Sequence, residues 1–171
     1  MSASRLAKAD IRRLFALLDA DLAAHDAEGE LYVVGGAVMC LAFDARESTK
    51  DVDALFKPSR VVRDAADRVA SKAGVDAGWL NDAVKAYLGP RGEFDRFLEL
   101  PHLKVFVASA RYLLAMKCAA MRLGEEFHDV DDVRYLLRHL DLRTVDEALA
   151  VVTRYIDETR LVLEELLSGA R

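Results

Sequence analysis

Two carboxylates one residue apart, Asp51 and Asp53, open the segment Asp51-Val-Asp-Ala-Leu-Phe56, whose valine and phenylalanine favour a strand. Side chains at i and i+2 of a strand project to one face, so the two acids point together. Like charges raise each other's proton affinity unless a cation lies between them, and hard oxygen ligands of this kind suit Mg2+ or Mn2+. The apolar Ala54-Leu-Phe56 carries the strand into a core, so charges at its edge need a reason. About fifteen residues upstream, the short run Leu31-Tyr-Val-Val34 stops at Gly35-Gly36. Glycines at a strand-to-helix turn let backbone approach a ligand, and the first helical N–H groups can face phosphate. Phosphate-binding glycines ahead of a metal-binding pair of acids are the parts needed for nucleotidyl transfer from a nucleoside triphosphate.

Such chemistry calls for a cation of the chain's own, and Lys117 is the candidate. In SARYLLAMKCAAMRLG its helical stripe is shared by Leu113, Ala120, Met121 and Gly124, all apolar or small. An ammonium on that face requires either a buried ion pair or an anionic ligand. Downstream, His128-Asp-Val-Asp-Asp-Val133 places Asp129 and Asp132 three residues apart beside an apolar pattern at Val130, Val133, Leu137 and Leu140, so one of the two can pair with Lys117. Trp79 and Asn81-Asp82 are candidates for lining the acceptor side of a cleft, although a tryptophan at a helix start more often belongs to a core.

The elements that must hold these groups follow from periodicity and breakers. Apolar residues from Leu6 to Leu22 predict an amphipathic helix over 4–25. Strands are expected at 31–34, 51–56, 94–100 and 103–107, and helices at 37–43, from Pro58 to Gly74, and at 79–88. From Ser109, a plausible N-cap, the chain reads as helical, with Gly124 as a stop and segments near 129–140, 144–157 and 158–168. The expected class is α/β (α+β): a small mixed sheet of about four strands flanked by helices over 1–108, with a helical part over 109–171 packed on it.

The chain of 171 residues and 19.0 kDa, 53% hydrophobic and 31% charged with mean hydropathy +0.06, is that of a folded globular protein. No apolar run approaches the roughly 18 residues of a membrane span, and no secretory signal is read at the start, so a cytoplasmic location and no membrane partner are expected. Cys40 and Cys118 sit in apolar helical pattern without metal-ligand spacing, which suits two buried thiols. A net charge of −5 excludes a general electrostatic grip on nucleic acid but leaves room for local basic stripes. Two are candidates: Arg5, Lys8 and Arg12 on the first helix, and Lys57, Arg60 and Arg63 after the acidic strand.

GGAVMCLAF, RESTKDVDALF, WLNDAVKAYL and LLAMKCAAMR followed by HDVDDVRYLL together span about residues 31–140. In this combination the chain resembles the polymerase-β-like minimal nucleotidyltransferases, and more narrowly the AbiEii/MenT-type nucleotidyltransferase toxins. The resemblance implies a nucleotide and metal site at Gly35, Gly36, Asp51 and Asp53, with Arg46, Ser48 and Thr49 as the polar residues before the acids. It also implies an essential lysine at Lys117 and an aspartate of the helical block at Asp129 or Asp132. Gly36 departs from relatives that carry serine there. The third carboxylate of the wider superfamily has only Asp95 or Glu99 to match it. The implied activity is Mg2+-dependent transfer of a nucleotide to a macromolecular hydroxyl. A tRNA 3′ end is the expected acceptor, in a toxin held by a cognate antitoxin. A protein or small-molecule acceptor, or an inactive nucleotide-binding module, are the alternatives.

Overall fold

The computed structural model describes residues 4–86, 91–120, 127–156 and 167–168. The chain divides into two compact units, Met1–Leu88 with Phe94–Val107, and Gly89–Glu93 with Ala108–Arg171. In the first unit, a two-residue strand β1 (Leu6–Ala7) precedes helix α1 (Lys8–Ala24). The helix expected from Ser4 starts later because Leu6 and Ala7 pair antiparallel with Thr49 and Ser48 of β3 (Ser48–Thr49). The Asp10 carboxylate then accepts the Ala7 N–H at 2.9 Å, satisfying one of the donors that a helix start leaves over.

The remaining elements of this unit are β2 (Gly29–Val34), α2 (Gly36–Leu41), β4 (Val52–Lys57), α3 (Ser59–Ala73), β5 (Leu80–Asn81), a short 3-10 helix (Ala83–Ala86), β6 (Phe94–Glu99) and β7 (Leu103–Ala108). Helix α3 follows Pro58 and closes on Gly74, whose φ of +67° is the left-handed conformation of a glycine C-cap. The mixed sheet has five strands in the order β5-β4-β2-β7-β6, with β2 antiparallel to β4 and parallel to β7. The four expected strands are all present; the fifth, β5, is an edge strand parallel to β4.

Leu31, Val33, Val52, Ala54, Phe56, Leu103 and Val105 are buried, and so are Ile11, Leu14, Phe15, Leu18 and Leu22 of α1 and Val62, Ala65, Ala66 and Val69 of α3. Burying a leucine or phenylalanine side chain contributes about 1.5–3 kcal/mol, so this layer is the main source of stability in the unit. Arg68 of α3 clasps the buried Asp21 of α1 with two short bonds, at 3.0 and 2.7 Å, tying the two helices together. Alternation puts Glu30, Tyr32, Asp53, Leu55, Lys57 and Phe106 on the other face of the sheet.

The second unit holds α4 (Ala110–Ala120), α5 (Phe127–His139) and α6 (Val145–Val152), with α5 and α6 both packed on α4. Ser109 caps α4 as its sequence position suggests: its hydroxyl accepts the Tyr112 N–H at 3.2 Å. A reciprocal Thr144–Glu147 capping box starts α6. Gly124 and most of the expected 158–168 helix lie outside the described residues, Leu167 and Ser168 being helical.

Candidate active site

The glycine turn and the acidic strand meet because β2 and β4 are antiparallel neighbours in a register that pairs Val34 with Asp53. The chain leaves β2 immediately beyond that pair. Gly35 takes φ +68°, which a residue with a Cβ rarely adopts, and a Cβ there would lie 3.2 Å from Asp53 Oδ2. The turn therefore lies against one side of the Asp53 carboxylate. The strand begins at Val52 rather than at the expected Asp51; Val52 is fully buried on the helix side, so Asp53 projects from the other face, with Asp51 just before the strand and within reach of its charge. Burial raises the proton affinity of Asp51, the neighbouring charge of Asp53 raises it further, Lys50 opposes the shift and Asp76 adds to it. The two carboxylates thus feel each other.

Arg46 and Thr49 complete this corner. A Cβ on Gly36 would fall 2.5 Å from Arg46 Nη1 and 3.2 Å from Thr49 Oγ1, so a guanidinium occupies the space into which a side chain at position 36 would extend. Thr49 donates its hydroxyl to the Asp51 carbonyl at 3.2 Å, fixing the turn into β4. Ser48 serves the fold: its hydroxyl accepts from Arg5 Nε at 2.8 Å and its carbonyl from Arg5 Nη2 at 3.0 Å. Lys8 pairs with Asp44 at 2.9 Å, and the Arg12 guanidinium lies over the Phe97 ring at 5.0 Å. These three cations of the expected RNA-facing stripe are therefore engaged within the unit. In the second stripe, Lys57 lies over the Tyr32 ring and Arg63 binds Asp82.

The helix expected over 79–88 is not formed. Trp79, only 1% exposed, donates its indole N–H to the Ala66 carbonyl at 3.1 Å, and its own carbonyl accepts the Val52 N–H at 2.7 Å. These bonds draw the chain into the extended β5 rather than a helical turn, and only a 3-10 turn follows; residues 87–90 lie outside the described residues. Trp79 is thus a core residue. Asp82 is held by Arg63 at 2.6 Å and Lys85 at 3.1 Å; burial acts to raise its proton affinity, but these two cations outweigh it and hold the carboxyl below the usual range.

The candidates for a third carboxylate do not serve. Asp95 and Glu99 are exposed on β6, three strands from β4, about 14 Å across the sheet. Phe94 meets the Tyr32 ring edge-on, so alternation turns Asp95 and Glu99 to the face opposite Asp53.

In the helical unit, Lys117 Nζ lies 2.8 Å from Asp132 Oδ2, with both side chains buried. Of the two outcomes expected for a lysine on that face, the ion pair is the one present, and Asp132 is its partner. Asp129 falls in α5, with its side chain outside the described residues. Both cysteines are buried, and burial pushes the Cys118 thiol up to about 12, which makes it inert at neutral pH.

Among the described residues no group of three or more metal-ligating side chains converges. The donor set nevertheless fits a nucleotide-bound Mg2+, which usually takes one or two carboxylates and fills its shell with phosphate oxygens and water. Asp51 and Asp53 are the residues that would hold it. A groove of about 810 Å3 lined by Gly29, Lys57, Pro101, His102 and Lys104 opens at the other end of β2 and β4 and takes no part in this chemistry. No helix among the described residues is long and apolar enough to cross a membrane.

A family model described as "Nucleotidyltransferase of unknown function (DUF6036)" matches residues 9–164. No curated protein and no solved structure matches the chain. The family match supports the broad nucleotidyltransferase likeness and not the narrower toxin type.

Proposed function

The chain belongs to this nucleotidyltransferase family, and from that premise we propose that it moves a nucleoside monophosphate from a nucleoside triphosphate to a hydroxyl of a macromolecule, with the reaction carried on the sheet face of Asp51 and Asp53. The observation that carries the reading is the contact of the Gly35 turn with Asp53, 3.2 Å from a would-be Cβ to Oδ2, with Asp51 within reach of its charge. A glycine there brings the turn against the carboxylate without a side chain between them. The acceptor oxygen bonds to the α-phosphorus, the bond from that phosphorus to the bridging oxygen breaks, pyrophosphate departs with the electron pair, and the hydroxyl proton passes to solvent. A divalent ion bound with the nucleotide would neutralise the phosphate charge that builds as pyrophosphate leaves. Asp51 and Asp53 orient that charge; Gly35 and Gly36 offer backbone N–H groups to the phosphates, and Arg46 adds a cation beside them.

For the acceptor we carry forward a tRNA 3′ end, in a cytoplasmic toxin countered by an antitoxin, on the strength of the motif resemblance. One observation favours a protein hydroxyl instead: the net charge is −5, and Arg5, Lys8 and Arg12 are engaged within the fold rather than presented as an RNA stripe. Incubation with labelled nucleoside triphosphates, Mg2+, total tRNA and cell lysate tests both readings, because the labelled fraction identifies the acceptor. Asp53→Ala should lose more than about a hundredfold in transfer. An unchanged rate would reject the site.

A further inference from the structure

Asp53 has a sheet neighbour on its other flank, Asn81, offered by the sequence only as a candidate for the acceptor side of a cleft. Edge strand β5 pairs in parallel with β4 so that Val52 faces Leu80 and Asp53 faces Asn81. Val52 and Leu80 are both buried on the helix side, so Asn81 and Asp53 stand together on the opposite face, about 5 Å apart at the Cβ atoms. Asn81 is held between two anchors. On one side Trp79 is buried and bonded to Ala66 and to Val52. On the other, Asp82 is clamped by Arg63 and Lys85. A strand of only two residues depends on such support, and the anchors hold both neighbours of Asn81 in place. The amide oxygen of Asn81 accepts the Ala83 N–H at 3.4 Å, which turns the NH2 group away from that turn.

We infer that Asn81 is a substrate-contacting residue of this site, donating its amide N–H to a phosphoryl oxygen of a nucleotide bound over the sheet face of Asp53. The inference rests on the functional reading above. Its chemistry is complementary to that of the acids: a carboxylate reaches a phosphate only through a cation, whereas an amide donor reaches the anionic oxygen directly. A third carboxylate in this place would add to the repulsion that already raises the proton affinity of Asp51; a neutral donor does not.

The test uses the full chain and measures binding by calorimetry. The probes are ATP, CTP, GTP and UTP as α,β-methylene analogues with Mg2+, and Mn2+ alone followed by paramagnetic resonance. Asn81→Ala should weaken the preferred nucleotide about tenfold or more while leaving Mn2+ affinity and Tm unchanged. Asn81→Asp should shift the two readouts in opposite directions, tightening Mn2+ and weakening nucleotide, which loss of strand structure would not do. Nucleotide affinity unchanged in Asn81→Ala, with Asp53→Ala defective, overturns this inference and leaves the functional reading standing. Wild-type protein that binds none of the four analogues, or Asp53→Ala that binds them normally, overturns both.

Discussion

At the level of single residues, Asp51 has the least ordinary electrostatics in the site. Its folded proton affinity lies above the usual carboxylate value, so between the two values the folded chain keeps a proton that the unfolded chain has released. The contribution of this group to stability therefore falls as pH rises through that window, the reverse of a salt-bridged acid. Asp51→Asn is expected to raise the Tm of metal-free protein near pH 7 and to leave it unmoved near pH 3, as read by scanning calorimetry in chelator. Gly35 carries a second expectation. Gly35→Ala must hold φ +68° at a cost of about 1–2 kcal/mol and puts a methyl 3.2 Å from Asp53 Oδ2. Transfer should fall further than the drop in Tm alone accounts for. Both positions were readable from sequence because two short patterns, a paired glycine after an apolar run and acids at i and i+2, specify their geometry locally. Asn81 was offered only as a candidate for the acceptor side of a cleft; its place beside Asp53 was not readable, because it depends on which strand lies next to β4, and two residues carry no periodicity.

At the level of elements, the long ones were legible and the short ones were not. Strands β2, β4, β6 and β7 and the helices α1, α3 and α4 follow their apolar patterns to within a few residues, since burial on one face is what both the pattern and the fold record. The 79–88 segment has helical spacing but is drawn into β5 by the Trp79 indole and the Val52 N–H, a tertiary override of local preference. Lys117 shows the same limit from the other side: the need for a partner was legible and narrowed to Asp129 or Asp132, and the packing of α5 on α4 decides for Asp132. Asp132→Ala leaves a buried ammonium without its carboxylate and should cost about 3–5 kcal/mol, whereas Lys117→Met combined with Asp132→Leu should restore most of the lost Tm. Assaying transfer on that double variant separates an anchor of α4 and α5 from a contact to phosphate.

At the level of the whole molecule, Gly35, Asp51 and Asp53, on which the proposed nucleotide chemistry rests, belong to the compact unit built on the mixed sheet. Ligand added at about a hundred times its Kd stabilises by about 2.7 kcal/mol. Hydrogen exchange should show that protection concentrated at residues 34–37 and 51–54. Protection spread evenly over the chain would contradict a site on the Asp51 and Asp53 face.

The pairing of Val34 with Asp53 sets a rule for how this chain can tolerate changes in length. The residues between α2 and β3 carry Asp44, paired with Lys8, and Arg46, beside Gly36, so a change of length there shifts the corner of the site. One residue gained or lost at the very start of β4 would turn the following side chains over, sending Asp53 among the helices and Val52 to the other face. The strand thus works like a reading frame for the chemistry, and libraries built from this scaffold should keep β4 in phase.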